Sequence, residues 1–271
     1  MNDRAVRILD ILSNNKSIKV TMLAELLDVS QVTLRRDLDF LEKQGIINRT
    51  HGFASLDGAD ETSKRMAFSY SIKRKIAVAA AKSIEEDETV MIESGSCCAL
   101  FAEELALNRK NITIITNSIF IANYICNLPK IKIILLGGYY QPGSQVLIGP
   151  MIIKYANEFF IDKLFLGTDG FIPGQGFTSG DYLRAETAAV LANCFKKVFV
   201  LTESAKFNRR GAYNLIQLNK VTGVYTDDNI SKEAEDSLFN SNVLLVKVPA
   251  ADEKLKWRQF PGQPPILYKE K

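Results

Sequence analysis

The chain has a single histidine, His51, in 271 residues. Any chemistry that needs an imidazole is therefore excluded from residues 52–271. Cysteine is nearly as scarce. Cys97, Cys98, Cys126 and Cys194 form no CxxC pair and have no histidine nearby, so neither a zinc site nor another metal centre is expected. No apolar run approaches the roughly 18 residues of a membrane span. The opening MNDRAVRILDILSNN sets charges among its apolar residues and has no signal-peptide block. These absences predict a cytoplasmic protein with reduced thiols and no membrane partner. Charge of one sign is also missing. The formal net charge is +3, and residues 1–56 carry eight basic against seven acidic side chains, a net of +1. A nucleic acid could be held only by charge placed locally, not by bulk attraction.

What is present is ordinary for a globular chain, with 46% hydrophobic and 24% charged residues, and the length allows two domains. Residues 1–56 predict three short helices and a small hairpin. Leu9 and Leu12 mark a first helix. Thr21 is expected to cap a second over Met22–Leu27. Ser30 is expected to cap a third over Gln31–Gln44, with an apolar stripe at Leu34, Leu38 and Leu41 and a stop at Gly45. Two short strands should flank His51-Gly52. Helix, tight turn, capped helix and hairpin together predict a winged helix-turn-helix. Residues 57–72 are polar and predict a linker. Over 73–253, short apolar runs alternate with helices, which predicts an α/β domain with a parallel sheet covered on both faces. Residues 254–271 form a Pro-rich, charged tail.

In the third helix, Arg35 and Arg36 lie about 100° apart around the axis, so they cannot do the same job. One suits a base edge or phosphate in the major groove. The other suits backbone phosphate or a neighbouring carboxylate. Gln31 and Thr33 occupy the exposed first turn where base contacts form. Ser30 and the helix N-terminus can hold a phosphate. Arg49 and His51, on the wing, can reach flanking backbone or minor groove. These seven residues are the candidate DNA-binding set.

The second domain ends several strands in small polar residues: Ser94-Gly95-Ser96-Cys97, Thr116-Asn117-Ser118, Gly137-Gly138 and Gly167-Thr168-Asp169-Gly170. Strand ends of a parallel sheet lie along one edge, where ligands bind. Helix N-termini after such loops favour anions. A phosphorylated small molecule fits, with Lys206 supplying positive charge and Asp169, Asp181 and Glu186 holding sugar hydroxyls. Cys97 reads as a small buried residue rather than an oxidant sensor, and Cys98, Cys126 and Cys194 as core fillers.

The segment VSQVTLRRDLDFLEKQGIINRTHG resembles the N-terminal signature of the DeoR family of bacterial transcriptional regulators. The matching residues are Val29, Ser30, Thr33, Leu34, Arg35, Arg36, Asp37, Leu38, Leu41, Glu42, Gly45, Arg49, His51, Gly52 and Ala54. Phe53 stands where that family has a second glycine. The resemblance continues at KIA 75–77, ESGS 93–96, TNS 116–118, LGG 136–138, GTDGF 167–171, Glu186, SAKF 204–207 and TDD 226–228. Glu93 to Cys97 departs from the family's D-x-G-T-T, with Ser96 able to replace a threonine hydroxyl. The resemblance implies a C-terminal domain related to sugar-phosphate isomerases, deaminases and CoA transferases. It implies a repressor of a sugar-metabolism operon that binds double-stranded operator DNA as a homo-oligomer, dimer or tetramer, and responds to a phosphorylated sugar. No enzyme activity and no cofactor are expected. The alternative is a sugar-phosphate isomerase-like enzyme carrying a DNA-binding domain, with Asp169, Asp181 and Lys206 as its polar groups. Deaminase chemistry uses a histidine that this domain lacks.

Overall fold

The computed structural model describes residues 3–15, 17–56, 61–128, 131–250, 255–258 and 266–269. They fall into two compact units, one made of 1–71 with 251–271 and the other of 72–250. The first unit opens with α1 (Asp3–Ser13), β1 (Ser17–Lys19), α2 (Val20–Leu27), α3 (Gln31–Lys43), β2 (Asn48–Thr50) and β3 (Phe53–Ser55), followed by α4 (Glu61–Ala67). Ala5, Ile8, Leu9 and Leu12 of α1 pack with Leu23, Leu26 and Leu27 of α2 and with Leu34, Leu38 and Leu41 of α3, all nearly inaccessible. Each buried leucine or isoleucine among them contributes about 1.5–3 kcal/mol. Strands β1, β3 and β2 form a small antiparallel sheet in that order. Its hairpin turns at His51 (φ 48°) and Gly52 (φ 81°), the two positive φ values of a type I′ turn.

The second unit follows from α5 (Tyr70–Ala81) through β4 (Thr89–Ile92), α6 (Ser96–Asn108), β5 (Thr113–Thr116), α7 (Ile119–Ile125), β6 (Lys132–Leu135), β7 (Tyr139–Gln141), β8 (Val146–Ile148), α8 (Pro150–Ala156), β9 (Lys163–Leu166), β10 (Gly170–Ile172), β11 (Gly176–Ser179), α9 (Tyr182–Cys194), β12 (Val198–Leu201), β13 (Tyr213–Gln217), β14 (Gly223–Asp227), α10 (Lys232–Asn240) and β15 (Leu244–Val248). Seven of these strands form one sheet in the order β15-β14-β12-β9-β4-β5-β6, parallel throughout. Its inner strands are unbroken apolar runs, such as Leu164-Phe165-Leu166, because both faces are covered by helices. The chain starts in the middle of this sheet, at β4, moves out to β6, then returns to β9 on the other side. The crevice above the C-terminal ends of β4 and β9 is therefore the topological switch point, the usual ligand position in such sheets. A smaller antiparallel sheet, β10-β11-β13, follows β9.

Several local expectations are corrected. Thr21 does not cap α2: the helix begins two residues earlier than expected, at Val20, with Lys19 at the cap position and no side-chain bond there. Instead, the Val20 N–H donates to the Gly52 carbonyl at 2.9 Å. The span 57–72, expected as a linker, contains α4 and the start of α5. Met66, Ala67 and Tyr70 at helical spacing are fully buried there, while residues 57–60 lie outside the described residues. Cys126 and Cys194 are exposed rather than core: Cys126 is the cap residue just past α7 and Cys194 the last residue of α9. The tail includes an antiparallel hairpin, β16 (Leu255–Arg258) with β17 (Ile266–Lys269), grouped with the first unit.

Candidate functional site

The first unit presents α3 beside the wing. Ser30 Oγ accepts from the Thr33 N–H at 3.1 Å and lies 2.9 Å from Thr33 Oγ1. Both hydroxyls are thus engaged in the cap, which fixes where the first turn starts. With the Leu stripe turned inward, Gln31, Val32, Arg35 and Arg36 face outward. Neither arginine has an ion-pair partner among the described residues, so the carboxylate-pairing option for one of them is not taken up. The acidic neighbour Asp37 is instead buried and clamped by Arg4 of α1, through Nε to Oδ2 and through Nη2 to Oδ1 at 3.1 Å. That bidentate bond fixes the rotation of α3 against α1 and keeps Asp37 away from the two arginines that precede it. Asp37→Asn is expected to destabilise the first unit by about 1–2 kcal/mol, since Arg4 is partly solvated. Chemical denaturation reads this, and an unchanged midpoint would remove the clamp from the fold's supports.

Arg49 is differently placed from the other predicted contacts. Its Nε donates to Glu42 Oε2 at 2.9 Å, Nη2 to the same oxygen at 2.6 Å, and Nη2 also meets Asp39 Oδ1 at 2.5 Å. The hydrogen bond it donates to Glu42, ahead of the one to Asp39, holds its pKa above the ordinary arginine value. Arg49 thus ties the wing to α3, with most of its charge compensated. His51 is exposed at the wing tip. Phe53, where the family pattern has glycine, opens β3 opposite Thr50, with the Lys19 ammonium 5.8 Å over its ring. Arg35, Arg49, His51 and Phe53 line a cavity of about 270 Å³ between helix and wing.

In the second unit the switch-point crevice is built by close backbone approach. A Cβ on Gly167 would stand 2.5 Å from the Ser94 carbonyl oxygen, and the Gly95 and Gly167 backbones touch. Gly95, at φ 113°, opens α6 in a conformation that favours glycine. Glu93, directly after β4, is buried and accepts from Ser94 Oγ at 2.7 Å. Burial raises its pKa, partly opposed by Arg184. On α6, Cys97 Sγ lies 3.7 Å from Glu203 Oε2, and Lys73 Nζ, 2% exposed, lies 3.7 Å from the same oxygen. Burial, and after it Glu203, pushes the Cys97 thiol far above its ordinary range, against the opposing charges of Lys73 and Lys206. Cys97 is therefore a buried thiol and not a reactive one. Lys206 belongs to the turn Ser204–Lys206, which is pinned by Asp227 accepting from the Ser204 N–H at 2.7 Å and its hydroxyl at 2.6 Å. Phe171, Phe177 and Phe207 pack at 5.0–5.9 Å between centroids and join that turn to the β10–β11 hairpin.

The other predicted residues divide by role. Thr116 Oγ1 accepts from the Ser118 N–H at 3.0 Å, and Ser118 Oγ caps α7 through the Ile121 N–H at 3.2 Å. Asn117 donates to the Leu147 carbonyl at 2.8 Å, while its buried Oδ1 has no partner among the described residues. Gly138 lets its backbone meet β8, since a Cβ there would stand 2.7 Å from the Ile148 oxygen, whereas Gly137 faces open space. Thr168 Oγ1 sits between the Gly170 and Thr178 carbonyls at 2.9 and 3.0 Å. These groups shape loops. Ser96 starts α6 next to Cys97. Asp169 Oδ2 accepts from the Gly180 N–H at 3.0 Å and lies 3.7 Å from Arg184 Nη1. Asp181 caps α9 through the Arg184 N–H at 2.9 Å and takes Gln141 Nε2 at 2.8 Å, so both its oxygens are engaged. Glu186 is exposed on α9 and is not drawn into this cluster.

Three crevice residues were missed by sequence reasoning: Lys73, Arg184 and Glu203. Arg184 is only 11% exposed, and its Nε is buried without a hydrogen-bond partner among the described residues. The crevice thus combines a helix N-terminus, two lysines on the α6 side, and an arginine–aspartate pair on the β9 side. Such a set suits an anionic, polyhydroxylated ligand better than an apolar one. Among the described residues, no cluster of three His, Cys, Asp or Glu side chains could hold a metal ion, and no helix is long and apolar enough to cross a membrane.

The chain is 29% identical over 255 residues to the transcriptional repressor GlcR of Bacillus subtilis, covering 93% of this chain and 97% of that one. It is 28% identical over 223 residues to the glycerol-3-phosphate regulon repressor of Escherichia coli K12, covering 81% and 88%. It is 29% identical over 231 residues to the L-fucose operon activator of the same organism, covering 83% and 94%. Among solved structures, ribose 5-phosphate isomerase A of Methanocaldococcus jannaschii aligns at 19% identity and TM-score 0.39, over 51% of this chain and 55% of that one. The DeoR-like helix-turn-helix domain matches residues 4–59, and the DeoR C terminal sensor domain matches residues 68–228. The chain therefore belongs to the DeoR family of transcriptional regulators.

Proposed function

We propose that this DNA-binding regulator represses a sugar-metabolism operon and leaves its operator when a phosphorylated sugar occupies the β4–β9 crevice. The observation that carries the reading is the backbone contact of Gly95 with Gly167 at the switch point, beneath an α6 N-terminus flanked by Lys73 and Lys206. The phosphate sits at that N-terminus with Lys206 as its counter-charge. Asp169 and Arg184 take the sugar hydroxyls. DNA is read by Gln31, Arg35 and Arg36, with Ser30 and Thr33 fixing the first turn and His51 touching flanking backbone. Arg49 acts through its hold on α3. An isomerase reading is not favoured, because Asp181 is engaged as a helix cap.

One reading helix covers too few base pairs to pick an operator from a genome, so we place the functional species as a homo-oligomer on repeated half-sites. Exposed apolar side chains on the second unit support self-association, Tyr139 at 73% and Met151, Tyr155 and Tyr182 near half exposed. Effector control then follows as a difference in effector affinity between DNA-bound and free states. Fluorescence anisotropy of the full chain on duplexes from upstream of its own gene, titrated with a panel of sugar phosphates, tests the whole reading. The expected result is salt-sensitive, sequence-selective binding released by one compound, with sedimentation giving dimer or tetramer. Selective binding that no phosphorylated sugar alters would sink the effector assignment.

A further inference from the structure

We propose that Val32 is a specificity-determining residue that recognises the C5-methyl group of a thymine in the operator. The inference rests on α3 being the reading helix. Val32 occupies the second position of α3 and is 63% exposed. A β-branched side chain is a poor choice for a solvated helix face, since it loses rotamer freedom without gaining burial. Single exposed apolar residues are ordinary on protein surfaces, but this one stands in the turn where base contacts form. It lies off the Leu34, Leu38, Leu41 stripe, and it shares a face with Arg35 and Arg36, three and four residues on. Its hydrocarbon cannot serve a phosphate, and it offers nothing to the donors and acceptors of guanine, cytosine or adenine. The thymine methyl is the one apolar group that base pairs display in the major groove.

The arrangement also sets a register. Side chains one helical turn apart are about 5–6 Å from each other, and base pairs rise about 3.4 Å. The thymine should therefore lie within about two base pairs of the arginine's contact in each half-site.

The test uses the full chain and an operator selected from random-sequence duplex DNA. Each thymine is replaced singly by deoxyuridine, which removes only the methyl. One position per half-site is expected to weaken wild-type binding about fourfold per methyl lost. Val32→Ala, at an exposed site where alanine favours the helix, is expected to bind the unmodified operator more weakly by a similar factor and to ignore deoxyuridine at that position. Wild-type binding indifferent to every replacement would overturn the proposal, as would a Val32→Ala protein that keeps the full deoxyuridine penalty. Arg35→Ala and Arg36→Ala on the same duplex separate the two levels. If both bind as wild type does, α3 is not the reader and the proposal falls with it.

Discussion

Arg35→Ala and Arg36→Ala are each expected to weaken operator binding by about ten- to a hundredfold, the range for losing one good bidentate base contact, while thermal stability stays within the ordinary scatter of surface substitutions. The expectation rests on their exposure and their freedom from ion pairs among the described residues, which contrasts with the clamped Asp37 between α1 and α3. The two variants should also differ in kind. Loss of a base contact relaxes sequence preference at one position. Loss of a phosphate contact weakens all sequences alike and lowers the slope of log affinity against log salt by about one. Anisotropy across a salt series on operator and on scrambled DNA distinguishes these outcomes. Wild-type affinity in both variants would remove α3 from the interface.

Lys206→Ala is expected to raise the sugar-phosphate concentration needed for half-release by about ten- to a hundredfold, as suits a lost charge-assisted hydrogen bond. Operator affinity without effector should not change. The lysine sits on a turn pinned by Asp227 and braced by the Phe171–Phe177–Phe207 cluster, so its removal need not disturb the fold. Lys206→Arg should restore part of the response. An unchanged titration for Lys206→Ala would take this side chain out of the crevice.

Much of this site was legible before any coordinates. The α3 stripe, its Ser30 cap and its Gly45 stop are local signals, and local signals survive into the fold. The glycine-rich strand ends were also readable, and strand order explains why those at β4 and β9 matter most. Other features depend on residues distant in sequence. Lys73 and Glu203 meet only because α5 and the loop after β12 converge on Cys97. Arg184 reads as a surface residue until α9 is placed beside Asp169. Arg49 looked like a free cation because Asp39 and Glu42, which neutralise it, lie a turn or more back on another element. The antiparallel β10-β11-β13 sheet escaped notice because its short strands lack a long apolar run. Glu186, expected to hold a sugar hydroxyl beside Asp169 and Asp181, is exposed on α9 and makes no bond to that cluster among the described residues.

The central pairing of the seven-stranded sheet has a consequence for the timing of biogenesis. Strand β4 ends at Ile92 and its partner β9 begins at Lys163, about seventy residues later. At roughly 5–20 residues per second, the ribosome needs several seconds after finishing one strand before the other exists. During that interval β4 has only β5 beside it, leaving one edge of an apolar strand unmatched. The Gly95–Gly167 contact cannot form until that edge is closed. The crevice of a nascent chain thus cannot close before Gly167 has been made, and chaperones would be expected to engage the chain within that window.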